Sequence, residues 1–318
     1  MKNNYTYSKS GPKRPTHPTR QYNTLGSDDM DMRCIVHGGA IGVPDEPTNR
    51  QLALDSAARA ATARDSPVEA VRAALRVLES DPQFNAGLGS SVQADGYIRT
   101  DAGLMTADGS VGAACSMPGV EHAIDVAEIV RRETPHILIS GVHAVDIAEA
   151  YGIETGVDLW TAETRNRWED VDDLPPTDPR EQATWVNERF GHGHDTVGAV
   201  ATDGDRVAAA TSTGGRWLAL AGRVGDVPQV GSGFYCTDSG GVSATGAGED
   251  IARRTLSRRA IDILEEGHHP EEAAELAIDE FSDAVNGAAG LILLTPDGRS
   301  GSAFNSESMM TSIDGTVG

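Results

Sequence analysis

The 318-residue chain is short of lysine, which occurs only at positions 2, 9 and 13. Beyond these positions every basic side chain other than histidine is arginine, and 48 acidic residues against 26 basic ones give a net charge of −22. Nucleic acid repels such a polyanion, so we expect no nucleic-acid partner. Because molar salt screens self-repulsion of this size, we interpret the chain as halophilic and haloarchaeal-like. An ordinary acidic enzyme is the alternative.

Cysteine and long apolar runs are scarce as well. Cys34, Cys115 and Cys236 are far apart and odd in number, so they form neither a disulfide framework nor a CxxC pair. No apolar run reaches the roughly 18 residues of a membrane helix, and residues 1–31 lack the apolar segment of a secretory signal. These absences predict a cytoplasmic protein without a membrane partner.

Motifs for nucleotides and metals are also missing. The chain has no Walker-type loop and no GxGxxG after a strand. The pairs His192/His194 and His268/His269 have no further ligands at zinc spacing, so we expect solvent-exposed histidines and leave any metal ligand unknown. Ser212 lacks the elbow motif of serine hydrolases.

The order of predicted elements indicates one α+β domain. Residues 1–31 are polar and proline-containing and predict a disordered tail, while residues 32–318 form the domain. The charged segment 155–195, with its prolines, predicts a mobile linker. Helices and strands precede it, and a hairpin turning at 203–205, helices and final strands follow. Two packed sheets with helices outside fit this order.

Three individual elements are predicted with defined ends. Residues 34–36 read as a short strand that ends at His37, residues 227–235 as a strand, and residues 249–266 as one helix.

Thr196 is the most informative residue because it begins an apolar run directly after a polar, glycine-containing segment. A threonine hydroxyl within a chain is a poor nucleophile. At a new N-terminus the same residue has a free amine beside its hydroxyl to act as base. The sequence therefore raises the hypothesis that the chain cuts itself between Asp195 and Thr196.

Three later segments carry groups that such a nucleophile needs. Thr213 ends the next predicted strand, where a hairpin can bring it beside Thr196. Arg223 offers a fork for a carboxylate, and Asp226 offers a carboxylate for an ammonium group, as the head of a free α-amino acid requires. Residues 244–249 place a hydroxyl and backbone N–H groups at a helix N-terminus, a credible oxyanion site. Singly, each segment is more often structural than functional: the first is a plain turn, the second a surface turn and the third a helix cap.

Taken in order, these segments resemble the plant-type asparaginases and isoaspartyl peptidases of the N-terminal nucleophile hydrolase superfamily. The first half agrees, since residues 35–40 look like the family's opening strand and glycine turn, and residues 84–89 like its Asn-Ala-Gly loop. The resemblance implies a four-layer αββα sandwich. It also implies self-cleavage into an α chain ending at Asp195 and a β chain of residues 196–318.

The resemblance further implies a role for each matching residue. The implied catalytic residues are Thr196, Thr213, Thr245 and Gly246, and the implied substrate-binding residues are Arg223, Asp226, Gly248 and Asn85. It implies no cofactor, apart from a structural sodium ion held by carbonyl groups of the loop 78–88. It also implies a homodimer of αβ units.

The implied reaction releases aspartate from L-asparagine and from β-aspartyl dipeptides. Two departures bear on the substrate. Asp195 replaces the glycine that precedes the nucleophile in many peptidase relatives, and the loop 216–220 is unlike their polar loop. An Asp-Thr junction is typical of glycosylasparaginases, so N4-(β-N-acetylglucosaminyl)-L-asparaginase is the alternative function. A site-specific endopeptidase and a binding protein that never matures are further alternatives.

Overall fold

The computed structural model describes residues 31–189 and 195–314. The predicted tail, apart from Asp31, and the pair His192/His194 therefore lie outside the described residues. Within those residues no helix is long and apolar enough to cross a membrane.

Helices enclose two sheets from both sides. The strands of the described residues are β1 (Arg33–Ile41), β2 (Arg99–Thr106), β3 (Val111–Pro118), β4 (Leu138–Ser140), β5 (Val197–Thr202), β6 (Val207–Thr213), β7 (Phe234–Thr237), β8 (Gly240–Gly246), β9 (Ala289–Leu294), β10 (Ser300–Phe304) and β11 (Ser308–Ile313). The helices there are α1 (Pro47–Thr62), α2 (Pro67–Glu79), α3 (Ala123–Glu133), α4 (Val142–Ala150), α5 (Ala162–Glu169), α6 (Pro179–Arg189), α7 (Gly248–Arg254), α8 (Leu256–Glu265) and α9 (Pro270–Ala284).

The strands form a seven-stranded sheet in the order β11-β1-β5-β6-β2-β3-β4 and a four-stranded sheet in the order β10-β9-β8-β7. Helices α1, α2 and α3 cover the outer face of the larger sheet, and α8 and α9 cover that of the smaller. The inner faces pack together through β1, β5 and β6 on one side and β8 and β9 on the other. The predicted αββα sandwich is confirmed.

Strand β5 shows why its sequence is apolar throughout. Its six residues are all buried, with Val197, Ala199 and Ala201 in the core beneath the helices and Val200 in the core between the sheets. Side chains alternate between the two faces of a strand, and here both faces are covered. Gly198 lies where a Cβ would overlap the side chains of His37 and Ser243, so the two sheets approach closely just behind Thr196.

Two predicted elements are wrong in their extent. The segment before Phe234 folds into turns around Asp226, whose carbonyl accepts the amides of Gln229 and Gly233 at 2.9 and 3.1 Å, so only β7 is a strand. The single helix predicted at 249–266 breaks at Thr255, which has a φ of 47°. The carbonyls of the turn around residues 231–232 accept the first amides of α8, and this docking redirects the helix.

Two other predictions also differ from the structure: one strand is longer than predicted, and the predicted linker contains helices. Strand β1 continues through residue 37 to Ile41, because a bulge at the glycine pair lets the pairing with β11 resume at Ala40. The segment 155–195 contains helices α5 and α6, and Trp185 of α6 is buried against Ala94. Its mobility stays a prediction.

Candidate active site

The β5–β6 hairpin brings Thr196 and Thr213 together. Val197 pairs with Ser212 in the antiparallel register. Thr196, which precedes Val197, therefore lies beside Thr213, which follows Ser212. The Thr196 hydroxyl donates to the Thr213 hydroxyl at an Oγ1–Oγ1 distance of 3.3 Å, and both residues are buried. Thr213 is thus placed to orient the Thr196 hydroxyl.

The carbonyl oxygen of Asp195, on the bond before Thr196, has two donors. Asn85 Nδ2 donates to it at 2.7 Å and the Thr213 hydroxyl at 3.2 Å. Asn85 is fixed by donating to the Gly215 carbonyl at 2.6 Å and by accepting the Ser91 amide at 2.7 Å. Donors fixed on a carbonyl in this way stabilise negative charge that develops on its oxygen.

Thr245 and Gly246 lie at the end of β8, where the chain enters α7. The Thr245 hydroxyl is fully buried and accepts the amide of Ala40 at 3.3 Å. Gly246 has a φ of 134°, and a Cβ there would overlap the carbonyl of Ala288, so only glycine fits. Gly39, next to Ala40, abuts Asp195, and this segment of β1 therefore links Thr245 to the bond before Thr196.

Arg223, Asp226 and Gly248 meet at one point. A Cβ on Gly248 would lie 2.6 Å from Asp226 Oδ1 and 2.8 Å from Arg223 Nη2. Asp226 is buried, its Oδ2 has no hydrogen-bond partner among the described residues, and burial raises its pKa to about 6. A buried carboxylate that lacks a partner is suited to bind an ammonium group.

Glu249 is a site residue that the sequence reasoning missed. Its carboxylate binds Arg223 along the Nε–Nη2 edge, with distances of 2.8 and 2.9 Å, and also lies 3.8 Å from Nη1 of the buried Arg216. Nη2 of Arg223 also lies beside the point where Gly248 and Asp226 meet, and Nη1 lies beside Gly225. In the sequence Glu249 looks like an acidic residue of a helix first turn, and no spacing links it to Arg223.

A buried series of hydrogen bonds runs behind Thr196. Ser243 Oγ lies 2.8 Å from His37 Nε2 and 3.0 Å from Thr211 Oγ1, and Thr211 donates to the Gly233 carbonyl at 2.9 Å. Burial lowers the pKa of His37 to about 3, so the ring is neutral near pH 7. These hydrogen bonds join β1, β6 and β8 and fix the spacing of the two sheets.

The remaining candidates lie elsewhere. Ser212 donates to the buried carboxylate of Glu79 at 2.6 Å, which is a structural contact. His268 lies 3.1 Å from a Glu272 oxygen, and the exposed His269 caps α9. No group of three or more His, Cys, Asp or Glu residues that could hold a metal ion occurs in residues 31–189 and 195–314.

Comparison with known proteins identifies the family of this chain. The family model described as asparaginase matches residues 30–316. A plant-type L-asparaginase of Pyrobaculum calidifontis is 38% identical over 86% of this chain and 94% of its own length. The isoaspartyl peptidase/L-asparaginases of Mus musculus and Homo sapiens are 37% and 36% identical, over 89% and 88% of this chain and 88% and 92% of their own lengths. This chain therefore belongs to the asparaginase family of hydrolases.

Proposed function

We propose that this chain hydrolyses the side-chain amide of L-asparagine and the isopeptide bond of β-aspartyl dipeptides, with Thr196 as nucleophile after the chain has cut itself before Thr196. The hydroxyl relay from Thr196 through Thr213 to the Asp195 carbonyl carries the proposal. It aligns a nucleophile with the peptide bond that must break to free its amine.

In the maturation step, Thr196 Oγ1 attacks the carbonyl carbon of Asp195. The C–N bond breaks, the nitrogen takes up a proton as the amine of Thr196, and an ester joins the two residues. Water hydrolyses the ester and leaves a carboxylate on Asp195 and a free hydroxyl on Thr196. Asn85 Nδ2, already 2.7 Å from the carbonyl oxygen, stabilises the oxyanion of this step.

In the turnover step, the substrate's α-carboxylate binds the open end of Arg223 and its α-ammonium group binds Asp226. The amine of Thr196 accepts the hydroxyl proton as Oγ1 attacks the side-chain carbonyl, and Thr245 and Gly246 bind the oxyanion. Ammonia or an amino acid leaves with that proton. Water then releases aspartate from the acyl-enzyme.

Intact mass measurement at high salt, followed by assays of aspartate release, tests both steps. We expect two fragments that separate at the 195–196 bond and activity on asparagine and a β-aspartyl dipeptide. Thr196→Ala stays uncut, while Arg223→Ala is cut but has lost useful asparagine hydrolysis. A wild-type chain that persists at full length would refute self-cleavage.

The residue before the nucleophile supports a second candidate, N4-(β-N-acetylglucosaminyl)-L-asparaginase, because an Asp-Thr junction is typical of that branch. The same assay includes glycosylasparagine as a third substrate. Aspartate release from glycosylasparagine with a kcat/KM above that for asparagine would decide for the second candidate.

A structural sodium ion in the loop 78–88 is part of the proposal. The carbonyl oxygens of Pro82 and Phe84 converge on Gly89, lying 2.5 and 2.8 Å from where its Cβ would be. Clustered carbonyl oxygens suit a hard cation such as sodium. We expect a lower melting temperature when choline chloride replaces sodium chloride at equal ionic strength.

The proposed setting is a salt-rich, reducing cytoplasm, in which two αβ units associate as a homodimer. The free thiols of Cys34, Cys115 and Cys236 are all buried, which suits a reducing compartment. The net charge of −22 suits high salt. Sedimentation at molar salt tests the dimer.

A further inference from the structure

Arg50 of α1 is a buried arginine whose contacts converge on the bond before Thr196. It is 6% exposed, and its Nη2 lies 2.5 Å from Oδ2 of Asp195. Its Nη2 also donates to the Gly38 carbonyl, and its Nη1 donates to the Gln83 carbonyl at 2.5 Å. The guanidinium carbon stacks 4.3 Å from the centre of the Phe84 ring. These contacts tie α1, β1 and the loop 78–88 to one carboxylate.

The other side of the Asp195 carboxylate is enclosed as well. Oδ1 is buried without a hydrogen-bond partner among the described residues, and it lies where a Cβ of Gly39 would be. Gly39 has a φ of 106°, so the left-handed turn that only glycine adopts easily makes room for the carboxylate. Oδ2 is therefore held by a cation, while Oδ1 has no strong hydrogen bond that would compete for a proton.

Among residues 31–189 and 195–314, the charged groups around this carboxylate come from two helices. Arg50 contributes a cation from α1, and Glu163 and Arg167 of α5 line the same cavity of about 220 Å³ as Asp195. Burial raises the pKa of Asp195 to about 6, whereas Arg50 and the amides of Thr196 and Asn85 lower it. The carboxyl group thus titrates near neutral pH beside the amide nitrogen that leaves during cleavage.

We infer that Arg50 is a positioning residue for self-cleavage, holding Oδ2 of Asp195 so that Oδ1 serves as the local proton acceptor and donor at the Asp195–Thr196 bond. The inference rests on the self-cleavage proposed above. In the step, the Thr196 hydroxyl turns from Thr213 to the Asp195 carboxyl group, whose Oδ1 takes the proton as Oγ1 attacks and returns a proton to the departing nitrogen. Arg50 makes no contact with the reacting atoms and acts through Asp195.

The test follows self-cleavage of freshly translated full-length chain at high salt from pH 5 to pH 8. In the wild type we expect the rate to rise through about pH 6 as Asp195 loses its proton. Arg50→Gln removes the cation, so it slows cleavage about 10- to 100-fold and moves the midpoint to higher pH. Arg50→Lys keeps the charge but lacks the fork. We expect it to cleave faster than Arg50→Gln but more slowly than the wild type, with a pH midpoint close to that of the wild type.

A double-mutant cycle separates positioning from loss of fold. In the Asp195→Asn background, Arg50→Gln should slow cleavage less than twofold further, because its target is already gone. Arg206→Gln is the matched control, since Arg206 is exposed, pairs with Asp203 and lies in the β5–β6 turn, and it should cleave as the wild type does. Melting temperatures check each variant. If Arg50→Gln does not fold, Arg50→Lys still tests the inference, because loss of the fork should slow cleavage in the Asp195 background and not in the Asp195→Asn background.

Two outcomes overturn the inference about Arg50. One is cleavage of Arg50→Gln within twofold of the wild type. The other is slower cleavage with an unshifted pH midpoint and full additivity with Asp195→Asn, which marks a purely structural arginine. A wild-type chain that never cleaves refutes the proposed function instead, so the two failures are distinguishable.

Discussion

Glu249 binds Arg223 side-on, with Nε–Oε1 and Nη2–Oε2 distances of 2.8 and 2.9 Å. This pairing fixes the rotation of the guanidinium and leaves its far end facing Asp226 and Gly248. Burial and Arg223 act in opposite directions on Glu249, and its pKa lies below the usual range, so the carboxylate is ionised near pH 7. The pairing turns Arg223 into a preoriented receptor for a carboxylate.

Weakening this pair should reduce substrate binding more than the chemical step. We expect Glu249→Gln to raise KM for asparagine about 10-fold with a smaller change in kcat, because a neutral amide holds Arg223 less firmly. Steady-state kinetics on the matured enzyme measure the effect. Glu280→Gln is the control, since Glu280 makes the same two-point contact with Arg259 on the surface. Equal KM values in the two variants would contradict the assigned role.

The glycine at position 248 should be irreplaceable even by alanine. The added Cβ would lie 2.6 Å from Asp226 Oδ1 and 2.8 Å from Arg223 Nη2, in the space proposed for the substrate head group. We expect Gly248→Ala to lower kcat/KM for asparagine about 100-fold or more while self-cleavage proceeds. Gly42→Ala, whose Cβ meets only a Glu307 oxygen at 3.5 Å, serves as control. Activity of Gly248→Ala near that of Gly42→Ala would show that the pocket lies elsewhere.

Asp226 should make substrate binding pH-dependent. Its pKa of about 6 means that the carboxylate needed for the ammonium group is lost as the pH falls through 6. We therefore expect KM for asparagine to rise on acidification, with a midpoint near pH 6. A KM that stays flat from pH 7.5 to pH 5 would argue against an ionised Asp226 as the ammonium partner.

Ionised Asp226 should lower the free energy of unfolding at neutral pH. Its pKa is raised from an ordinary value of 3.8, so the folded chain binds more protons than the unfolded chain between about pH 4 and pH 6. The contribution of Asp226 to the free energy of unfolding thus declines as the pH rises through that window. Asp226→Asn should melt at a higher temperature than the wild type at pH 7, with the difference vanishing near pH 4. An unchanged difference across this range would contradict the assignment.

Asn85 should govern the rate of self-cleavage. Its Nδ2 is 2.7 Å from the Asp195 carbonyl oxygen, and loss of one oxyanion donor costs about 10²–10³-fold in rate. We expect Asn85→Ala to accumulate the uncut chain, followed over time on denaturing gels. Gln83→Ala, an exposed side chain in the same loop, should mature normally. Normal maturation of Asn85→Ala would contradict the role given to Asn85 at the Asp195 carbonyl oxygen.

Several parts of the site followed from the sequence because they depend on neighbours along the chain. A hairpin with a short turn dictates which residues of β5 and β6 face each other, so the pairing of Thr196 with Thr213 needed no knowledge of the rest of the fold. The alternation of Val197, Ala199 and Ala201 with Val200 likewise follows from strand geometry. The order of Arg223, Asp226 and residues 245–248 indicated the family, and with it the αββα sandwich.

Other features depend on contacts between residues far apart in the chain. The break at Thr255 and the turns before Phe234 come from one loop docking on another, which local propensity does not encode. The contacts of Arg50 with Asp195 and of Glu249 with Arg223 join residues 145 and 26 positions apart. The sequence by itself determined the sandwich, and it predicted a nucleophile and the groups for an amino-acid head that stay predictions. The tertiary structure alone decided which charges pair around them, because ion pairing depends on distances that only the packed sheets and helices set.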